Sequence, residues 1–281
     1  MSVPVRLLGF ALAIAALFVG AAIAGRASDV APRSSGGSDV GEAHGGGAMA
    51  PAEPVGLSLS GGGLVLDPLT RTLTPGSRSG LRFRVLDEDG SPVRSFDVEH
   101  ERRMHVIVVR RDLTGFQHLH PTMAADGTWS VPLRVSAPGS YRLLADFSTG
   151  GERRVLGVDL AAPGAVAHRP LPAPAAVAVV DGYTVALRRD GTAAGPVALT
   201  FRIERDGRAV TPGHYLGALG HLVVLREGDL AFVHAHPDED AAGPEVTFSS
   251  ELPSAGRYRL FLQFVHGGSV HTASFTVAVQ P

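Results

Sequence analysis

The sequence predicts an all-β fold, two tandem immunoglobulin-like β-sandwich domains after an N-terminal transmembrane helix and a flexible tether. Three observations carry the sandwiches. The chain repeats itself: FRVLDEDGSPV (Phe83 to Val93) matches FRIERDGRAV (Phe201 to Val210), and GSYRLLADFSTGG (Gly139 to Gly151) matches GRYRLFLQFVHGG (Gly256 to Gly268). Such self-similarity marks a duplicated unit, here of roughly 90 to 100 residues. Within each copy, short segments rich in Val, Leu, Phe and Tyr are divided by turn signals such as Asp89-Gly90, Asp126-Gly127 and Asp206-Gly207. TWSVPLRV and RYRLFLQF alternate polar and apolar residues with period two, as half-buried strands do, and no long segment after residue 26 has a helical period. Each copy then has the size of a sandwich of about seven strands.

In chain order, residues 1–26 hold an apolar run, Leu7 to Gly25, of 19 residues between Arg6 and Arg26. It approaches the ~20 residues a membrane helix needs and exceeds the roughly 7–15 residues of a cleaved signal's apolar stretch. The run is read as a single-pass anchor of a cell membrane with the bulk of the chain extracellular. Ala22-Ile23-Ala24 keeps signal cleavage and secretion as the alternative. Residues 27–54, Ala, Gly, Ser and Pro with scattered charges, read as a disordered tether that includes His44. Residues 55–160 are the first sandwich, 161–175 an Ala/Pro linker with His168, and 176–281 the second sandwich.

Composition removes whole classes of function. With 25 basic and 27 acidic side chains the net charge is −2, which gives no electrostatic ground for a nucleic-acid partner. There is no Cys, so disulfides, thiolate metal sites and a Cys nucleophile are excluded. No nucleophile elbow, phosphate-cradling glycine loop or HExxH pattern is present, and the chain is expected not to be an enzyme.

The repeat carries one chemically unusual phrase. HVIVVRRDLTGFQHLHP (His105 to Pro121) and HLVVLREGDLAFVHAHP (His221 to Pro237) share His, twelve residues, His, one residue, His, Pro. On a strand, side chains at i and i+2 share a face, so Phe116, His118 and His120 lie together, as do Phe232, His234 and His236. A tight turn within Arg226–Asp229 would set His221 across from His234 or His236, giving three imidazoles on one patch. Such a face suits Cu(II) or Zn(II). The metal candidates are therefore His221, His234 and His236, with His266, in the second copy, and His105, His118 and His120, with His100, in the first. His271, His214, Met123, Met104 and Asp146 are further candidates, the methionines being soft ligands for Cu(I). The second copy reads as the richer site. Against this stands the reading in which duplication has copied structural, hydrogen-bonded histidines. Tyr141 and Tyr258 fall near a tyrosine-corner position.

The phrases HERRMHVIVVRRDLTGFQHLHPTM, YLGALGHLVVLREGDLAFVHAHP and YRLFLQFVHGG resemble those of a group of actinobacterial membrane-anchored or secreted proteins often labelled heavy-metal-associated, over nearly the whole chain from anchor to C-terminus. More distantly the domain is similar to CopC-like and YtkA-like extracytoplasmic sandwiches. The resemblance implies a metal role in the envelope carried by His100, His105, His118 and His120 in the first copy and His221, His234, His236 and His266 in the second. It also implies two departures: Gln263 stands where an acidic ligand is common, and His271 stands where others have Arg.

The expected function is a membrane-tethered metal-binding protein, with a copper ion or alternatively zinc, that buffers ions or passes them to a membrane metal transporter or envelope protein. The alternative is a structural or interaction module of the envelope. A copper oxidoreductase is a third reading.

Overall fold

The structure, a computed structural model, describes residues 55–238 and 243–281; the apolar run expected to be an anchor and the tether with His44 lie outside them. Every regular element described is a strand. The first copy runs β1 (Ser60–Gly61), β2 (Leu64–Pro68), β3 (Arg78–Leu86), β4 (His105–Arg110), β5 (Gln117–Leu119), β6 (Thr122–Met123), β7 (Trp129–Arg134), β8 (Gly139–Thr149) and β9 (Glu152–Ala162). The second runs β10 (Val177–Val180), β11 (Tyr183–Arg189), β12 (Gly195–Arg205), β13 (Arg208–Ala209), β14 (His221–Arg226), β15 (Phe232–Val233), β16 (Ala235–Pro237), β17 (Glu245–Leu252), β18 (Gly256–His266) and β19 (Ser269–Val279).

Each copy folds into two antiparallel sheets. In the first they are ordered β1-β2-β3-β7-β6 and β5-β4-β8-β9; in the second, β10-β11-β12-β17-β16, with β13 on β12, and β15-β14-β18-β19. The inward residues of each pair make a separate core: Phe83 and Trp129 meet Val106, Val108 and Phe147 in the first copy, and Phe201 and Phe248 meet Leu222, Val224 and Phe275 in the second. Matching hairpins close β8–β9 at Gly150-Gly151 and β18–β19 at Gly267-Gly268, with φ of 61° and 78° in both, the doubly left-handed turn that only glycine enters without cost. Tyr141 and Tyr258 each donate from the hydroxyl to the carbonyl four residues upstream, Ala137 at 2.8 Å and Ser254 at 2.9 Å. These are tyrosine corners.

The alternation rule fails at two strands, and that failure organises the molecule. Every residue of β4 is buried, and so are the four central residues of β14, Leu222 to Leu225. A half-exposed sheet cannot do this. The reason is a third apolar cluster between the copies, in which Ile107, Val109 and Leu144 meet Val223, Leu225 and Phe261. The two four-stranded sheets thus pack outer face to outer face, and β4 and β14 each serve two cores. Phe116 stacks on Phe261, with centroids 4.0 Å apart and planes 7° off parallel.

Residues 55–58 form a strap across this joint. The Phe232 amide donates to the Val55 carbonyl (3.0 Å) in the second copy, while the Gly56 amide donates to Val155 (3.2 Å) and the Gly157 amide to Ser58 (2.8 Å) in the first. Buried Arg142 donates to the carbonyls of Gly56 and Leu57, each at 2.6 Å. Position 157 must be glycine because a Cβ there would collide with the Gly56 carbonyl oxygen. The linker is held too: the Arg169 amide donates to Asp112 (3.2 Å) and Leu171 packs on the inter-copy cluster.

Truncating Phe261, which is 3% exposed, is expected to cost about 3 kcal/mol, and a Phe116→Ala/Phe261→Ala cycle to show about 1 kcal/mol of coupling. Urea denaturation of the four proteins measures both; strict additivity would mean the copies fold without leaning on one another.

Candidate metal centre

The polar end of this joint is where the histidines gather. Because side chains alternate, His105 shares the face of Ile107 and Val109, and His221 that of Val223 and Leu225, so both rings point between the copies. Register adds a third: β5 pairs with β4 with His118 opposite Ile107, on that same face. One ring nitrogen from each of His105, His118 and His221 lies within 4.8 Å of the others. The His105 and His221 rings are parallel within 6° at 5.7 Å, and His118 lies 4.6 Å from His221, centroid to centroid. His120 is 4.8 Å from His118 and 5.2 Å from His105. His100 is 6.2 Å from His105 and 6.0 Å from His221. The five-imidazole cluster takes four rings from the first copy and one from the second.

The hydrogen bonds fix what these rings present to one another. His105 Nε2 lies 3.1 Å from the Glu99 carbonyl oxygen, which can only accept, so that nitrogen carries the proton. His118 Nδ1 lies 2.7 Å from Gln263 Oε1, also an acceptor, so the proton sits there. Burial holds both rings neutral, pushing His105 below the ordinary imidazole value and His118 down to about 3, with the neighbouring His105 and His120 adding to the second shift. A neutral ring has one proton. With the Gln263 oxygen toward His118, the two remaining nitrogens, His105 Nδ1 and His118 Nε2, face each other at 3.0 Å as lone pairs. His221 is likewise pushed well below the imidazole range by burial and its histidine neighbours. Protonated outer nitrogens held on carbonyl oxygens, with inner lone pairs converging, are the arrangement by which proteins orient metal-bound imidazoles.

The sequence expectation that each copy gathers its own three histidines holds in the first copy, where His105, His118 and His120 lie within 5.2 Å of one another, centroid to centroid, and fails in the second. His221 does not face His234 or His236, because the ladder of β14 with β15 ends at Val224 opposite Val233. The chain then crosses to the other sheet, where Ala235, His236 and Pro237 pair with Ser250, Ser249 and Phe248 of β17. In the first copy the matching pairing extends two residues further, to Leu119, which keeps His118 and His120 at the joint. His234 sits instead near the buried Asp146 and Arg153 and is lowered to about 4, mainly by burial, while His236 is exposed. The second copy is thus not the richer site.

The remaining candidates have other places. Asp146 is the exception: it stands opposite His105 on the β4–β8 ladder, beside the cluster, where its charge acts on His105 and His118, but both its oxygens are held by Arg153, at 3.0 and 2.7 Å. His266 Nδ1 meets the Tyr183 hydroxyl at 2.7 Å; His271 meets Asp181 at 2.9 Å and the His266 carbonyl at 3.2 Å. His214 is exposed. Met104 is a core residue of the first sandwich and Met123 packs against that core, so no thioether joins the cluster.

Sequence reasoning missed the partnership between copies and the role of Gln263. The signal lay in the unbroken apolar runs Val106–Val109 and Leu222–Leu225, since a strand without polar alternation is buried on both faces.

No curated protein matches the chain. Among solved structures it is similar to the Escherichia coli adhesin FdeC (13% identity, covering 80% of this chain and 66% of that one, TM-score 0.27) and to a chimeric titin Z1Z2 tandem (14%, 77% and 100%, TM-score 0.20). It is also similar to Escherichia coli alpha-2-macroglobulin (15%, 78% and 20%, TM-score 0.27). Scores this low carry no argument about function. A family model matches twice, over residues 63–164 and 178–281, one match to each sandwich. The chain belongs to the family described as Domain of unknown function (DUF8832), of which it holds two copies.

Proposed function

We propose that the chain is an outward-facing metal-binding protein of the cell envelope whose ion, Cu(II) or alternatively Zn(II), sits between the two sandwiches on His105, His118 and His221. The observation that carries this is the pair of lone-pair nitrogens, His105 Nδ1 and His118 Nε2, held face to face at 3.0 Å. With the Gln263 oxygen facing His118, a divalent cation between these two nitrogens would relieve their repulsion. Bonds of about 2.0–2.1 Å need His105 Nδ1 and His118 Nε2 to separate by only a few tenths of an ångström, while the His221 ring has to close in, since the three donor nitrogens span up to 4.8 Å. Three nitrogen donors with no thiolate or thioether suit Cu(II) and Zn(II), and the order of divalent affinities favours Cu(II). The reading accords with the heavy-metal-associated resemblance of the histidine phrases. It assigns binding and not catalysis, with an envelope transporter or carrier as the partner that would receive the ion.

A second reading rests on the same atoms. If the Gln263 amide were turned by half a revolution, its Nε2 would donate to His118 Nδ1, His118 Nε2 to His105 Nδ1, and His105 Nε2 to Glu99. Every group from Gln263 to Glu99 would then be satisfied, and the histidines would be a structural seam of an envelope module.

Calorimetric titration of the full chain, made without a His tag, separates the two. The first reading expects one Cu(II) or Zn(II) per chain, abolished by His221→Ala and retained by His234→Ala/His236→Ala. Gln263→Glu sharpens the test. A carboxylate can only accept, so it locks the His118 proton on Nδ1, and the ion is expected to bind about tenfold more tightly. Absence of binding, together with a lower thermal midpoint for Gln263→Glu, would instead establish the seam.

Acid behaviour follows from the same shifts. His118, His120 and His234 are lowered to about 3, 4 and 4 by burial, against about 6.5 in an unfolded chain. The unfolded state binds more protons below about pH 6.5, so the contribution of these groups to stability is complete above that pH and lost as pH falls toward 4 and then 3. Denaturation midpoints measured from pH 8 to pH 4 are expected to fall only below about 6.5. Ion affinity is expected to outlast the ordinary histidine range, since the folded rings remain neutral.

A further inference from the structure

We propose, resting on the metal-binding reading, that ions reach and leave the His105–His118–His221 centre by way of His100 and His120, which serve as exchange ligands and not as permanent ones. The five rings are not equivalent. The outer nitrogens of His105 and His118 are committed to Glu99 and Gln263. His120, in contrast, keeps its Nε2 buried and without a partner, although its ring lies beside both. His100 has no hydrogen bond among the described residues, is half-buried, and spans the two copies at 6.2 Å from His105 and 6.0 Å from His221. These two rings are the ones with free nitrogens next to the inner set.

The backbone beneath His100 supports a role for that side chain. Glu99 and Arg102 pair across a two-residue turn whose central residues, His100 and Glu101, have φ of 46° and 63°. Two successive left-handed residues are normally Asn-Gly or a similar pair, and each non-glycine residue there costs roughly 1 kcal/mol or more. The second copy supplies an internal comparison. Its matching turn, Tyr215 paired with Ala218, has Leu216 and Gly217 at φ of 57° and 84°, and Leu216 is buried at 3% exposure. In the second copy the turn carries an apolar plug and a glycine. In the first copy it carries an imidazole beside His105 and His221, and it keeps the left-handed pair without a glycine, Glu101 standing where the second copy has Gly217.

An exchange ligand lowers one barrier crossed in both directions, so its loss slows capture and release alike and leaves the equilibrium constant nearly unchanged. Asn tolerates the left-handed conformation, which makes His100→Asn a substitution the turn can hold. The full chain and its His100→Asn and His120→Asn variants would be loaded with Cu(II). Release into excess EDTA and capture of free Cu(II) would be followed by stopped-flow absorbance, with the dissociation constant measured in parallel. Both rates are expected to fall about tenfold in at least one variant, with the constant changed by less than about threefold. Unchanged rates in both variants would overturn the inference. So would a weaker constant with an unaltered capture rate, which would make these rings permanent ligands. A wild-type chain that binds no Cu(II) or Zn(II) would remove the metal-binding reading and this inference together, whereas normal binding with unchanged exchange removes the inference alone.

Discussion

The molecule depends on burying the outer faces of two sheets against each other. Each sandwich has a core of its own, yet β4 and β14 are apolar on both sides, and neither Ile107–Val109 nor Val223–Leu225 has anywhere to go except across the joint. Once those faces meet, the alternation of a strand carries His105 and His221 into the same seam, at its polar end. The stacked Phe116 and Phe261 rings set the spacing, and the strap at Val55–Ser58 ties β9 of one copy to β15 of the other. The imidazole cluster is therefore a product of packing between domains, and no single domain contains it.

Much of this was legible in the amino-acid order. The duplicated phrases, the glycine pairs at 150–151 and 267–268 and the period-two segments specify two sandwiches, and the two tyrosine corners fall where the repeated Tyr-Arg-Leu puts them. The pairing of His118 and His120 with His105 also follows from spacing. What spacing could not supply is the point at which a strand changes sheets. The second copy crosses at His234, two residues earlier than the first, and this small difference sends His234 toward Arg153 and Asp146 and leaves His236 exposed. Nor could the sequence say that Gln263 would reach His118 in the other copy, because a contact between duplicated domains leaves no local pattern. The apolar runs on β4 and β14 were the one available hint of it.

The electrostatics of the seam follow from the same burial. Burial and mutual repulsion disfavour charge on His105, His118, His120 and His221, so these rings are neutral where free histidine would titrate. Neutrality turns their geometry into a question of where single protons reside. Glu99 and Gln263 answer it from outside, each claiming the far side of a ring. This is a division of labour between a backbone carbonyl in the first copy and a side-chain amide in the second.

Contacts across the joint recur in reciprocal pairs, yet the two members of each pair have diverged. Phe116 on Phe261 answers to Phe232 near Leu144. His118 on Gln263 answers to His234 near Asp146. One member has become part of an imidazole cluster and the other packs by the Asp146–Arg153 ion pair, whose carboxylate stands opposite His105. A chain holding a single copy of this domain would expose the whole apolar face and half of the seam, and could cover them only with a second molecule. In that sense the tandem is a homodimer made covalent: fusion fixes the stoichiometry at one seam per chain and lets each half evolve separately, which a symmetric pair of identical subunits cannot do.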